Sequence, residues 1–555
     1  MSQIYDIADR YVDQYAALDP CVATYAGIAG HDDEMTDYSP AGVEARTQLA
    51  RETLAQLRDA PVDGEHDRLA AAVMQDLLQV DVDLHDAGEY LRPVRVIASP
   101  VQGIRETFDL MPFDTDHQWE NAARRMERVP EGLQSLEASL REGVERGVVA
   151  ARRQALACAD QAATWGGEKK DTEPFFRALA DRYQGNGALR TTLEGASGTA
   201  TEAYASFGRF LRDEYAPRAA PRDPVGRERY ALLARTFTGV DLDLEETYAW
   251  GWEELYRIEQ AMRDVAERIL PGEPMAAVIQ HLDHDPARSI EGVDAFQRWN
   301  QDLIDRTIAE LGGTHFDIAE PLKRCEAMIA PPGGPAAMYY TQPAEDFSRP
   351  GRTWYPTLGQ TFFPLWKEVS TCYHEAVPGH HLQVAQVVYL SEKLSRFQRL
   401  LGWVSGHGEG WALYAERLMG ELGYLDDPAW ELGMLAAQAM RAVRVIVDIG
   451  MHLELTIPSQ ERYHPGERWT PELALPFVIE RSCMPEQFMR SEVDRYLGWP
   501  GQAISYKVGE RVWLDSREDA RRRHGSAFDL KAFHTYALDL GSMGLGLLRE
   551  ELARF

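Results

Sequence analysis

Basic side chains, cysteine and long apolar runs are scarce in this sequence, and each scarcity excludes something. Against 88 Asp and Glu stand 58 Lys and Arg, only 7 of them Lys, for a formal charge of −30. Phosphate affinity comes mostly from clustered cations, so nucleic acid is excluded as the default partner. The five cysteines, Cys21, Cys158, Cys325, Cys372 and Cys483, are scattered without CxxC spacing. That argues against a disulfide framework and against a thiolate zinc site. No stretch approaches the roughly 18 uncharged apolar residues of a membrane-spanning helix. Residues Met1 to Arg10 lack the basic start and apolar run of a signal peptide, so the expected location is cytoplasmic, with no membrane partner.

What is present is globular material in quantity. With 45% hydrophobic and 10% aromatic residues over 555 positions, a large core is available. Apolar residues recur at helical spacing, as in Ile4, Ile7, Tyr11 and Tyr15. Helices are expected over 66–88, 116–165, 186–215, 243–269, 291–312, 428–456 and 485–499. Strand-like runs are short: Val94 to Ala98, Met338 to Thr341 and Arg352 to Tyr355. The fold class expected is therefore mostly α with a small β element. The stretch Pro331-Pro-Gly-Gly-Pro is the best internal boundary, giving an N-terminal helical region, 1–330, and a catalytic region, 331–555, packed as one body.

Chemistry concentrates in the second region, where four of the 15 histidines fall within 34 residues. Tyr373-His-Glu-Ala-Val-Pro-Gly-His-His begins like the zinc-peptidase pattern H-E-x-x-H, in which two imidazoles one turn apart share a helix face and the Glu is a general base. Position 378, where the second ligand belongs, is Pro. On an unbroken helix His380 would be rotated by about 240° from His374, and His381 would lie about 10.5 Å along the axis. Neither can share one zinc with His374 at about 2.0–2.1 Å from each nitrogen. Pro378 removes a helical hydrogen bond and Gly379 permits an irregular turn, which together bring His380 back beside His374. Glu409, between two glycines in Gly408-Glu-Gly-Trp-Ala, is the preferred third ligand; Glu416 is its rival, and His381 remains the rival of His380.

These segments, with Arg441 to His452 and Pro500 to Gly509, resemble the signatures of a bacterial family, domain of unknown function 885. Tyr25-Ala-Gly-Ile-Ala-Gly-His-Asp-Asp is similar to its N-terminal motif, so the resemblance runs nearly the whole chain. It implies a gluzincin-like zinc metallopeptidase layout on a large helical fold, with the β element near the active site. Carried over by position, it implies His374, His380 and Glu409 as Zn2+ ligands and Glu375 as base. Glu-Gly-Trp-Ala is also similar to the segment bearing the third zinc ligand in the large aminopeptidase family.

Further candidates come from residue chemistry. Tyr506 and Lys507, with Arg495 upstream, suit an oxyanion or a substrate carboxylate. His452, spaced i,i+4 from Asp448, suits an ion-pair ladder or the orientation of a ligand. His407 is a candidate for substrate contact. The strands Met338 to Thr341, which holds Tyr340, and Arg352 to Tyr355 would form an edge along which an extended peptide adds. Trp403, Trp411 and Tyr414 read as core packing. The expected function is hydrolysis of small peptides by metal-activated water. The rivals are hydrolysis of a non-peptide amide and a non-catalytic helical zinc protein.

Overall fold

The computed structural model describes residues 2–170, 172–330 and 337–555. Helices make up 67% of it and strands 5%, so the chain is mostly α with a small β element. Two compact units result, one of Met1–Val225 with Asp494–Trp499, the other of Gly226–Val493 with Pro500–Phe555. The boundary expected at 331–335 lies outside the described residues. Among those described, no helix is long and apolar enough to cross a membrane.

The first unit is built on the helix Asp116–Arg146, whose Trp119, Met126, Val129, Leu133, Leu136 and Leu140 form a buried stripe. Thr115 and Gln118 close its start as a capping box. The single segment expected over 116–165 is two helices, because Gly147 ends the first at φ 69° and the next runs over Arg152–Trp165. Val94 to Ala98, expected as a strand, is irregular. Its backbone is satisfied by side chains instead: Gln154 Oε1 accepts from Val96 N–H at 2.9 Å, and Gln161 Nε2 donates to Val96 O at 2.9 Å.

The second unit is centred on the helix Pro428–Leu453, in which Ala436, Ala439, Val443, Val445, Ile446, Val447 and Ile449 are fully buried. A helix apolar nearly all round has to lie inside, and Leu244–Ile269 covers one side of it with Trp252, Leu255 and Ile258. The helix Ser405–Glu421 meets Ser505–His524 at three glycines. A Cβ on Gly410 would lie 2.4 Å from the Gly509 carbonyl carbon, and one on Gly509 would lie 2.0 Å from Gly406 O. Only bare backbone permits that approach.

Among the described residues five strands complete the unit: β1 (Ser289–Glu291), β2 (Cys325–Ile329), β3 (Tyr339–Thr341), β4 (Gly351–Tyr355) and β5 (Phe362–Pro364). β1 pairs antiparallel with β5, and the other three form a sheet in the order β2-β4-β3. β4 runs parallel to β2 and antiparallel to β3, with Tyr340 opposite Thr353. The outer edge of β2 is taken by the helix Val293–Leu311, where Gln301 accepts from Ala327 N–H at 2.8 Å and donates to Cys325 O at 2.9 Å. Arg352 to Tyr355, expected to offer an edge to a peptide, is thus the central strand with both sides paired; the edge is three-residue β3.

Candidate metal centre

The helix Glu368–Glu375 stops where the Pro-Gly insertion begins, and a second helix starts at His380 and runs to Tyr389. Between them the backbone folds over: Gly379 N–H donates to Tyr373 O at 3.0 Å and His381 N–H to Ala376 O at 3.0 Å. The Val377–Pro378 peptide bond is cis. Gly379 presses so closely on the first helix that a Cβ there would sit 2.0 Å from His374 O and 2.4 Å from Tyr373 O. Pro378 O, orphaned by the break, accepts from Trp411 Nε1 at 2.8 Å. A buried carbonyl at a helix end needs such a partner, so Trp411 does more than fill the core.

This turn sets the His374 and His380 rings 4.7 Å apart at 88°. The Nε2 atoms of both lie 3.4 Å from Glu409 Oε2, which comes from the helix Ser405–Glu421. One donor atom from each residue falls within 4.8 Å of the other two, so the trio could hold a metal ion. His374 is held by its other nitrogen: Nδ1 is 2.8 Å from Glu416 Oε1, while Glu416 Oε2 accepts from Ser370 Oγ at 2.5 Å. Glu416, weighed as a rival ligand, orients the imidazole instead, as carboxylates behind metal-bound histidines commonly do. Arg441 stands 3.9 Å behind the same carboxylate.

His381 is committed elsewhere. Its Nε2–H donates to Leu322 O at 2.8 Å and its Nδ1 is 3.0 Å from Tyr340 Oη. Burial brings its pKa down to about 4, so it is a neutral strut between β3 and the Leu322 turn. Tyr340 fixes this ring, and Gly351 packs against both.

Electrostatics separate the carboxylates. At Glu409 burial works upward, but the His380 and His374 imidazoles outweigh it and hold the group well below its usual range. At Glu375 burial wins over the same histidines and raises it. Glu375 Oε2 is buried without a hydrogen-bond partner, as is Glu409 Oε2. At His374 burial works downward, and the nearby Glu409 and Glu416 carboxylates outweigh it, raising the imidazole to about 9. Two imidazoles crowded onto one carboxylate oxygen, beside an unpartnered second carboxylate, form a donor set that a cation would complete.

Other sequence candidates fall in different places. Tyr506 lies under two guanidiniums, with Arg444 Cζ 4.7 Å and Arg441 Cζ 5.9 Å from its ring centroid. Lys507 is buried against Glu254, Gln438 and Glu510, its ammonium fully engaged. His407 packs on Trp513 with Nδ1 3.0 Å from Gln383 Nε2, and burial takes its pKa down to about 3. His452 is fully buried, 3.8 Å from Asp448 Oδ1, while Asp448 Oδ2 accepts from Tyr230 O–H and Gly501 N–H. Arg495 belongs to the first unit and covers the ring of Tyr496. Trp403, expected in the core, is 52% exposed, with its ring centroid 6.3 Å from that of His380.

The fold has solved relatives. A crystal structure described as that of "the putative lipoprotein from Colwellia psychrerythraea" is 20% identical, covers 100% of this chain and 99% of its own, and superposes with a TM-score of 0.84. A second, "a putative lipoprotein of unknown function from Shewanella oneidensis", is 18% identical with 99% of each chain covered and a TM-score of 0.74. At such identities the likeness is one of fold. Among curated proteins nothing matches. A family model described as "bacterial protein of unknown function (DUF885)" matches residues 20–552, and the chain belongs to that family.

Proposed function

We propose that this protein is a zinc-dependent hydrolase of amide bonds, acting on small peptides as a gluzincin-like metallopeptidase. The observation that carries the reading is the convergence of His374, His380 and Glu409 beside a buried, unpartnered Glu375 carboxylate oxygen. Two imidazoles and a carboxylate match the three protein ligands of catalytic zinc, whereas structural zinc takes four, usually with Cys.

The residues fit zinc, which when bound supplies Lewis-acid polarisation of a carbonyl and a lowered pKa for water. Glu416 and Ser370 hold the His374 ring so that Nε2 faces the site. Glu375, its basicity raised by burial, takes the proton of the attacking water and delivers it to the leaving nitrogen. Arg441, near Glu416, limits the negative charge that Glu375, Glu409 and Glu416 would otherwise accumulate together.

The test is a digest of a mixed peptide library, run beside a panel of acylated amino acids, with zinc-loaded protein and with Glu375→Gln. Peptide fragments from the parent alone are expected. Cleavage confined to the acylated panel would overturn the peptidase reading, and an intact library and panel at full zinc loading would overturn the hydrolase.

A further inference from the structure

We infer that Trp403 is a specificity-determining residue, an aromatic wall that receives an apolar substrate side chain next to the cleaved bond. This rests on the amide-hydrolase reading and adds to it the class of substrate.

Four tryptophans of this unit, Trp366, Trp411, Trp469 and Trp513, are each less than 2% exposed, while Phe362, Tyr389 and Trp403 lie at the surface. Trp403 leaves half its surface to water although it lies against the ring of one candidate ligand and the residue before another. On one side is the His380 ring, 6.3 Å away and tilted by 58°. On the other is Gly408, the residue before Glu409, where a Cβ would lie 2.1 Å from Cη2 of the indole and 2.7 Å from Cζ2 and Cζ3. The benzo ring therefore rests on bare backbone, a seat that any other residue at 408 would fill.

The mount is rigid. Val404 is buried, its N–H donates to Ser542 Oγ at 3.1 Å, and its carbonyl accepts from His407 and Gly408 N–H, each at 3.1 Å. An indole fixed at its base, with its open surface toward water beside the ligand trio, is a preformed apolar contact whose burial by substrate is favourable. Indole faces also attract cations. Aliphatic and aromatic side chains gain most from burial against such a surface, so the occupant assigned is apolar, and a Lys peptide tests the cationic alternative.

The experiment uses zinc-loaded parent, Trp403→Ala, Trp403→Phe and Gly408→Ala, with peptides bearing Gly, Ala, Leu, Phe or Lys beside the cleaved bond. For the parent, kcat/KM is expected to favour Leu and Phe over Gly by roughly 10-fold or more, the range that apolar pockets discriminate. Trp403→Ala should erase that preference through KM while keeping one zinc per chain and the rate on Gly and Ala peptides. Phe should restore most of it, and Gly408→Ala, which displaces the ring without removing it, should mimic the loss. Binding of the same peptides to zinc-loaded Glu375→Gln, with and without Trp403, gives a readout that needs no turnover. A Leu and Phe preference in binding that disappears with Trp403 supports the wall even where nothing is cleaved, and in that case only the hydrolase reading fails. Equal binding of Gly and Phe peptides, a uniform loss across all peptides on removing Trp403, or a Trp403-dependent preference for Lys would overturn it.

Discussion

Replacing Gly379 by Ala changes no candidate ligand, yet it should dismantle the centre. The added Cβ would lie 2.0 Å from the carbonyl oxygen of His374, itself a candidate ligand, and 2.4 Å from that of Tyr373. Against the 3.4 Å at which ordinary contact begins, the closer approach falls short by about 1.4 Å. Neither oxygen is the end of a flexible side chain, so relief has to come from backbone movement that carries His374 or His380 away. Metal–ligand distances tolerate only about 0.2 Å, so a shift of that size removes one nitrogen from coordination. Zinc affinity should fall by at least about 100-fold, or about 2.8 kcal/mol. Chelator competition measures the affinity, and circular dichroism confirms that the helices remain. A protein that keeps its helices but has lost zinc isolates the geometric effect. A zinc affinity within threefold of the parent would show that the tight turn does not set the ligands.

Glu375→Gln should retain zinc while hydrolysis falls by about 10²–10⁴-fold, since the amide keeps the shape but cannot take a proton; near-parent rates on the peptide library would remove Glu375 as base. Glu416→Ala should cost about 10–100-fold in zinc affinity through loss of the acceptor behind His374 Nδ1, and an unchanged affinity by competition titration would make that contact incidental. His374 in the metal-free protein keeps its proton up to about pH 9. Zinc must displace it, so apparent affinity should rise by about tenfold per pH unit between pH 7 and 9 and then level off; a flat profile would contradict this. The same raised imidazole stabilises the metal-free fold below its ordinary value of 6.5. That contribution is lost as pH rises through about 9, so the melting temperature of metal-free protein should drop across that window and recover with zinc.

The helical class was legible because helix periodicity is local, and the approach of His374 and His380 because Pro378-Gly379 interrupts a histidine-bearing helix. What the sequence hid was set by tertiary contact. Glu416 stands seven residues after Glu409, two turns along the same helix, and only the crossing with Glu368–Glu375 shows that it meets the far side of His374 instead of the metal position. Trp403 reads as apolar, and apolar residues are core by default; its exposure depends on the loop anchored by Ser542. Lys507 and His452 looked reactive by type, but their partners Glu254, Gln438 and Tyr230 come from distant parts of the chain. Val94 to Ala98 had strand composition and no strand to pair with, since glutamine amides took its backbone groups.

X-ray absorption at the zinc edge on the stoichiometrically loaded protein tests the metal assignment most directly. One zinc per chain is predicted, with nitrogen and oxygen neighbours at about 2.0–2.2 Å, two of them imidazole, and no sulfur shell at about 2.3 Å. In His380→Ala the imidazole count should fall from two to one or the zinc be lost, and in His381→Ala it should stay at two. A sulfur shell, or a spectrum unchanged by His380→Ala, would contradict the assignment of His374, His380 and Glu409 as the ligands.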